Sequence, residues 1–370
     1  MKIDRRLLIH FDWVLLVLVL LISLGGILNL YSTGHSLAAA AGSKPLFMKQ
    51  LYWLGVGLCF MAVAAAVDYR FMVRHAYWIY AGIVVLLVMV VLFGNMANGS
   101  QRWLSIGGFS IQPSEFAKIG LILVLTRYIT ANQMGEAYEI RNLLLPFGLL
   151  IVPVFLIARQ PDLGTALFLV ILSFSLVFFI GVKRKTLLIF SLTGVTLLPL
   201  FWYFLKDYQK DRILTFFNPE RDPLGAGYHI IQSVIAIGSG GFLGKGFLKG
   251  TQSQLKFLPE QQTDFVFSVF AEEWGFAGVL LLLVFFLFLV LWGVRIARNS
   301  RDLSGTLIAF GVTALFFWGV FINICMVIGV LPVVGIPLPF FSYGGSSMVA
   351  MMTGVGLLIN VSMRRFILQP

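Results

Sequence analysis

The chain has 370 residues, of which 59% are hydrophobic and 12% charged, with a formal net charge of +11 and a mean hydropathy of +0.93. A water-soluble domain carries about 25% charged residues, so this composition excludes a soluble enzyme and, despite the basic balance, a nucleic-acid-binding domain. Apolar runs long enough to cross a bilayer recur from end to end. In lipid such runs must be helices, because each segment has to satisfy its own backbone polar groups.

At the N-terminus Lys2, Arg5 and Arg6 precede an apolar run, and "SLAAAAGS" follows like a signal-peptide cleavage site. The run from Trp13 to Leu30 is longer than a usual signal-peptide core and many spans follow it, so it reads as a retained first helix. About ten spans are expected, near 12–31, 50–67, 76–93, 114–131, 143–158, 164–181, 186–205, 265–294, 304–328 and 346–362. Cys59 and Cys325 both fall inside spans, which implies neither a disulfide framework nor a cysteine metal site. Alternate loops sort the cations: of 27 Lys and Arg, 15 fall on one side, five on the other and seven in one long loop. The richer side is cytoplasmic, which puts both termini there and the long loop, 206–263, outside.

The second outer loop carries Arg102 and leads into "QPSEFAK", where Pro113 and Ser114 read as a helix start. Glu115 and Lys118 then share a helix face three residues apart. A local ion pair explains them simply, yet charges this close to lipid are functional candidates. "ARQPDLGTA" places Arg159 and Asp162 in a very short outer loop, either as parts of a tight turn or as site residues.

The long loop holds seven cations, among them Arg212, Lys245, Lys249 and Lys256, beside acidic residues that include Asp222 and Glu260. Its length points to function, and its cations to an anionic ligand or lipid headgroups, unless they are incidental to a solvated loop. Within it "GSGGFLGKG" resembles a phosphate loop. However, Ser239 and Gly246 stand where that motif needs Gly and Ser or Thr, so nucleotide binding is not expected. Its backbone N–H groups and Lys245 remain able to meet a phosphate.

Next comes "LPEQQTDFVFSVFAEEWGFAG", with Glu260, Asp264, Glu272 and Glu273 at the mouth of an apolar stretch too long for one crossing. Asp264 then sits at the water–lipid boundary, either capping a helix or held there as a general base. Asn323, midway along the ninth span, suits interhelical hydrogen bonding. In "LPVVGIPLPFFSYGGSS", Pro332, Pro337, Pro339, Gly344 and Gly345 forbid a regular helix, so a re-entrant or surface segment is expected outside. The four histidines share no ligand spacing and no Asp-x-Asp pair exists; no metal site is expected, though oxygen ligands for a divalent cation stay open.

In this order "QPSEFAK", "RQPDLGTA", "GKGFLKGTQSQLKFLPEQQTDF" and "PLPFFSYGGSSM" resemble the SEDS family of cell-wall proteins along nearly the whole chain, and its RodA branch more than its FtsW branch. The resemblance implies one all-α polytopic membrane domain over 1–370, with about ten transmembrane helices and a large extracytoplasmic loop between the seventh and eighth. It implies a multi-pass protein of the bacterial inner membrane that polymerises lipid II. Asp264 occupies the position of the family's proposed base, and Glu115, Lys118, Asp162 and Glu260 match other functional positions. Where the family more often has His, this chain has Gln262.

The reaction so implied is an inverting displacement of undecaprenyl pyrophosphate, for which Arg102, Lys118, Lys245 and Lys249 are the expected cations. Arg159, Ser342 and Tyr343 complete the expected substrate contacts. A class B penicillin-binding protein, the shape proteins of the elongation complex and membrane lipids are the implied partners. A lipid II flippase, a division-type polymerase and a non-catalytic scaffold are the rival readings.

Overall fold

The computed structural model describes residues 10–41, 45–97, 100–106, 109–132, 138–222, 225–255, 257–258 and 260–365. Lys2, Arg5, Arg6, Lys44 and Lys256 lie outside them. Among the described residues ten long helices overlap the expected spans: α1 Trp13–Ala41, α2 Leu46–Ala66, α4 Ala76–Phe93, α5 Pro113–Ala131, α6 Ile140–Arg159, α7 Leu163–Phe179, α8 Arg184–Phe204, α12 Val266–Arg298, α13 Leu303–Val327 and α14 Gly345–Arg364. Seven are long and apolar enough to cross a membrane, α5, α7 and α8 being the exceptions; α7, at 17 residues, is shorter but apolar. Between α2 and α4 lies a short helix, α3 Tyr69–Arg74.

Burial sorts these helices into layers. Helices α5, α13 and α14 are largely enclosed, whereas α4 and α12 turn bare apolar flanks outward, including Leu92, Phe93, Leu281 and Leu291. That inversion of the soluble pattern is what lipid allows. Polar contacts pin one end of the bundle. Asn360 on α14 donates to the carbonyl of Ala64 at 2.6 Å, and Asp302 caps α13 while accepting from Arg70 Nε at 3.0 Å. Ser362 donates to Asp12 at 3.2 Å, so the start of α1 and the end of α14 lie together, as same-side termini require.

The opposite end carries the irregular structure. Between α4 and α5 three short strands, β1 Asn95–Ala97, β2 Ser100–Ile106 and β3 Phe109–Ile111, form an antiparallel meander that pairs Met96 with Gln101 and Ser105 with Ser110. No strand was expected there. The region 206–263 is far from a plain loop: it contains α9 Asp207–Phe217, a 3₁₀ turn at Pro219–Arg221, α10 Ala226–Ser239 and α11 Thr251–Gln254.

The overlong apolar stretch resolves into a broken helix. Gly275 interrupts α12 with φ 63° and ψ −165°, a conformation open almost only to glycine. The glycine-rich loop fills the break. Phe276 and Ala277 N–H donate to the carbonyls of Gly241 and Phe242 at 2.9 and 3.0 Å, while Lys245 and Gly246 N–H donate to those of Glu272 and Glu273, both at 3.0 Å. Backbone groups freed by the break are thereby satisfied away from water. This corrects the expectation for "GSGGFLGKG": the N–H groups of Lys245 and Gly246 bind α12 and do not face a phosphate. A Cβ on Gly275 would lie 2.2 Å from Gly244 N. Gly275→Ala is therefore expected to cost about 3 kcal/mol or more, combining backbone strain and clash. The check is a lower Tm of the purified protein with faster proteolysis at 241–246.

Candidate active site

Asp264 lies one residue before Phe265, the N-cap of α12, which carries no side-chain cap. Helix capping, the bland alternative, is therefore not what Asp264 does. Its main-chain carbonyl accepts from Asn323 Nδ2 on α13 at 3.0 Å, and the same amide reaches the Ile336 carbonyl at 2.8 Å. One buried Asn thus stitches the Asp264 turn to the proline-rich strip 331–344. That strip runs inward, with Ile336, Leu338, Phe340 and Phe341 buried, and it covers the carboxylate: a Cβ on Gly335 would stand 3.3 Å from Asp264 Oδ2.

The Asp264 side chain is half-buried. Desolvation by the surrounding protein pushes its pKa up to about 6; neighbouring Glu260 adds to the rise, Arg102 and Arg212 oppose it, and Asp162 adds a little. Glu260 is exposed and accepts from Thr263 Oγ1 at 3.0 Å. These five residues, from four separate stretches of chain, form one electrostatic cluster.

Arg102, on β2, donates to the Pro161 carbonyl at 2.6 Å and stands 3.7 Å from Asp162 Oδ1. Asp162 is also the N-cap of α7, accepting from Thr165 N at 3.3 Å and Thr165 Oγ1 at 3.0 Å. It therefore both builds the turn and anchors the arginine. Gln112 closes the same corner, donating from its side chain to Asp162 at 3.4 Å and from its backbone to Ser346 Oγ at 2.9 Å.

One turn into α5, Lys118 Nζ donates to Glu115 Oε1 at 2.7 Å; both side chains are buried, and the ammonium lies 4.9 Å from the centre of the Phe168 ring. The local ion pair is formed, and among the described residues no hydrogen bond or ion pair joins it to Asp264. Glu115 Oε2 makes no hydrogen bond within the protein.

Other expected site residues lie apart from Asp264 or serve as scaffold. Lys245 Nζ binds buried Glu272 at 2.6 Å and Thr251 Oγ1 at 2.8 Å. Glu272 also accepts from the backbone of Thr251 at 2.9 Å and Gln252 at 3.1 Å, tying α11 to α12. Glu273 accepts from Ser32. So of the four acids gathered at this helix mouth, Glu272 and Glu273 are structural ties. Lys249 is exposed, and the Arg159 guanidinium lies 5.0 Å from the Phe155 ring centre. Ser342 Oγ accepts from Leu338 N at 2.8 Å, and Tyr343 N donates to the Gln262 carbonyl at 2.9 Å. Both hold the strip in place, and Gln262 contributes its backbone.

Two residues that the sequence did not single out belong to this site. Arg212 on α9 reaches the Val333 carbonyl at 3.4 Å, beside the strip that covers Asp264. His229 on α10 stacks on Phe265, centroids 6.0 Å apart, and its buried Nδ1 makes no hydrogen bond within the protein. Burial lowers the His229 pKa, against the pull of Glu260 and Asp222. The only advance signal for either was a surplus of cations in the long loop. Among the described residues, no cluster of three or more His, Cys, Asp or Glu is arranged to hold a metal.

A desolvated carboxylate with a raised pKa, two arginines within its electrostatic reach and a bundle of long apolar helices define a multi-pass membrane protein with a candidate acid–base site at one end of the bundle. The sequence matches the family FTSW_RODA_SPOVE, described as cell cycle protein, over residues 11–366. It is 38% identical over 358 residues to the peptidoglycan glycosyltransferase MrdB of Escherichia coli strain K12, covering 96% of this chain and 95% of that one. The fold is similar to a chain of a peptidoglycan synthase complex that coordinates polymerization and crosslinking, at TM-score 0.81 and 35% identity, covering 96% and 98% of the two chains. It is similar also to the rod shape determining protein RodA of Thermus thermophilus, at TM-score 0.71 and 31% identity with the same coverage. The chain belongs to the SEDS family and is a multi-pass protein of the bacterial inner membrane.

Proposed function

We propose that the protein is a peptidoglycan glycosyltransferase that polymerises lipid II on the outer face of the cytoplasmic membrane during cell elongation. Its relatives carry that enzyme name. The observation that carries the mechanism is Asp264, a carboxylate at the outer helix mouth, covered by the proline-rich strip and raised to about 6. A base with a pKa just below the working pH is largely ionised yet still basic enough to draw a proton. The acceptor 4-hydroxyl attacks the anomeric carbon of the donor sugar as its proton passes to Asp264. The bond from that carbon to the phosphate oxygen breaks, and the electron pair leaves on the undecaprenyl pyrophosphate. One displacement turns an α-linked donor into a β-linked product.

Arg102, fixed by Asp162 and Pro161, borders the reacting centre, and Glu115 with Lys118 lines the approach along α5. A class B penicillin-binding protein is the partner that crosslinks the product, and shape proteins of the elongation complex are its neighbours. Flipping would need ionisable groups through the depth of the bilayer. Here the Asp, Glu, Lys and Arg residues on the long helices gather toward the helix ends, and α4, α7 and α13 carry none of these.

Purified protein given labelled lipid II, together with a class B partner whose transpeptidase is inactivated, is expected to yield a glycan ladder on a gel. Absence of a ladder together with lipid II movement across sealed vesicles would replace polymerisation with transport.

A further inference from the structure

The proposed reaction leaves a diphosphate whose negative charge grows as the glycosidic bond breaks, and such charge calls for a preorganised cation. Asp264 senses two arginines, and they are not equivalent. Arg102 is committed: it faces the Asp162 carboxylate at 3.7 Å and donates to the Pro161 carbonyl at 2.6 Å. Arg212 forms no ion pair with a carboxylate among the described residues, and its one hydrogen bond runs to the Val333 carbonyl at 3.4 Å. Val333 lies two residues before Gly335, where a Cβ would stand 3.3 Å from Asp264 Oδ2. Arg212 thus stands exposed on the outer side of the same cover, with its charge uncommitted.

The wall around Arg212 is also incomplete in hydrogen-bonding terms. His229 is within electrostatic reach of Arg212 and Glu260, and its Nδ1 is buried without a protein partner. Buried polar atoms in a native fold are ordinarily satisfied, and an exception marks a place that meets water or a ligand. Of the other cations expected to serve the phosphate, Lys118 and Lys245 are each held by a carboxylate, at 2.7 and 2.6 Å, and Lys249 is exposed just beyond the loop that fills the break in α12. The guanidinium is, moreover, the side chain best shaped for two-point contact with phosphate oxygens.

We propose that Arg212, with His229 beside it, binds the diphosphate of the lipid-linked sugar across the site from Asp264, and that the long outer loop exists chiefly to carry this contact. The contact strengthens as the anomeric carbon–oxygen bond breaks and the electron pair moves onto the phosphate oxygen, so Arg212 favours the transition state over the ground state. This inference rests on the glycosyltransferase reading above.

The test compares wild type, Arg212→Gln, Arg212→Lys and the exposed-loop control Arg221→Gln, each shown to be monodisperse and of wild-type Tm. Polymerisation of lipid II is followed together with inhibition by undecaprenyl pyrophosphate. Arg212→Gln is expected to lose about 10²-fold in kcat, the scale of one transition-state donor, and to become several-fold less sensitive to the inhibitor. Arg212→Lys should recover part of both, and Arg221→Gln should match wild type. Unchanged rate and inhibition in Arg212→Gln, or equal losses in Arg221→Gln, would overturn the assignment while leaving the polymerase reading intact. Absence of polymer from wild type would instead overturn the reading on which it rests.

Discussion

Asp264→Asn is expected to lower lipid II polymerisation by about 10²- to 10⁴-fold, the range a positioned general base contributes. The fold should survive the change. Asp264 makes no side-chain cap and contributes only its main-chain carbonyl to the Asn323 hydrogen bond, which Asn preserves. The stability effect has a definite sign. A carboxyl whose folded pKa is about 6, above its unfolded value of about 4, binds its proton more tightly in the native state. Its contribution to stability is therefore present at low pH and lost as the pH rises from about 4 to about 6. At pH 7 the ionised group is a burden, and Asn removes it. Loss of activity with an equal or higher Tm would separate a functional carboxylate from a structural one; a large fall in Tm would argue the reverse.

Lys118→Met should be the most damaging single change in the buried part of α5. Glu115 would be left as a buried carboxylate with neither oxygen partnered, since Oε2 already makes no bond within the protein. Breaking a buried pair from one side costs about 3–5 kcal/mol, which should appear as a steep loss of Tm and of monodisperse protein. Glu115→Gln combined with Lys118→Met removes both charges and should recover most of that stability. Polymerisation by the double variant should stay impaired, because these residues are proposed to meet substrate as well as each other. Full activity in the stable double variant would reduce the pair to a structural tie.

Much of this molecule was legible in its sequence, for reasons that can be traced to particular residues. Helices stood out because lipid forces each crossing to be a long apolar run. Proline and glycine in "LPVVGIPLPFFSYGGSS" announce irregular backbone, which the fold tolerates by burying Ile336, Leu338, Phe340 and Phe341 inside protein. Asp264, Asp162 and Arg102 stood out as charges beside lipid. What could not be read was pairing across long separations. Nothing local links Lys245 to Glu272, or Asn323 to the main chain at Asp264, 27 and 59 residues away respectively. The glycine-rich loop was misjudged for the same reason: its partner is a helix break at Gly275, and glycine inside an apolar run does not declare whether it bends, packs or merely occurs. Arg212 was one of seven loop cations until α9 set it beside the strip.

The pH dependence of kcat tests the central claim most directly, because loss of activity in a variant can have structural causes whereas a titration reports the group itself. With the purified protein, the proposed class B partner and saturating lipid II, the wild-type rate should rise as the pH passes through about 6 and level off by about 7. The residual rate of Asp264→Asn should be small and flat across that interval. A wild-type rate with no rise near 6, or the same rise persisting in Asp264→Asn, would contradict Asp264 as the base.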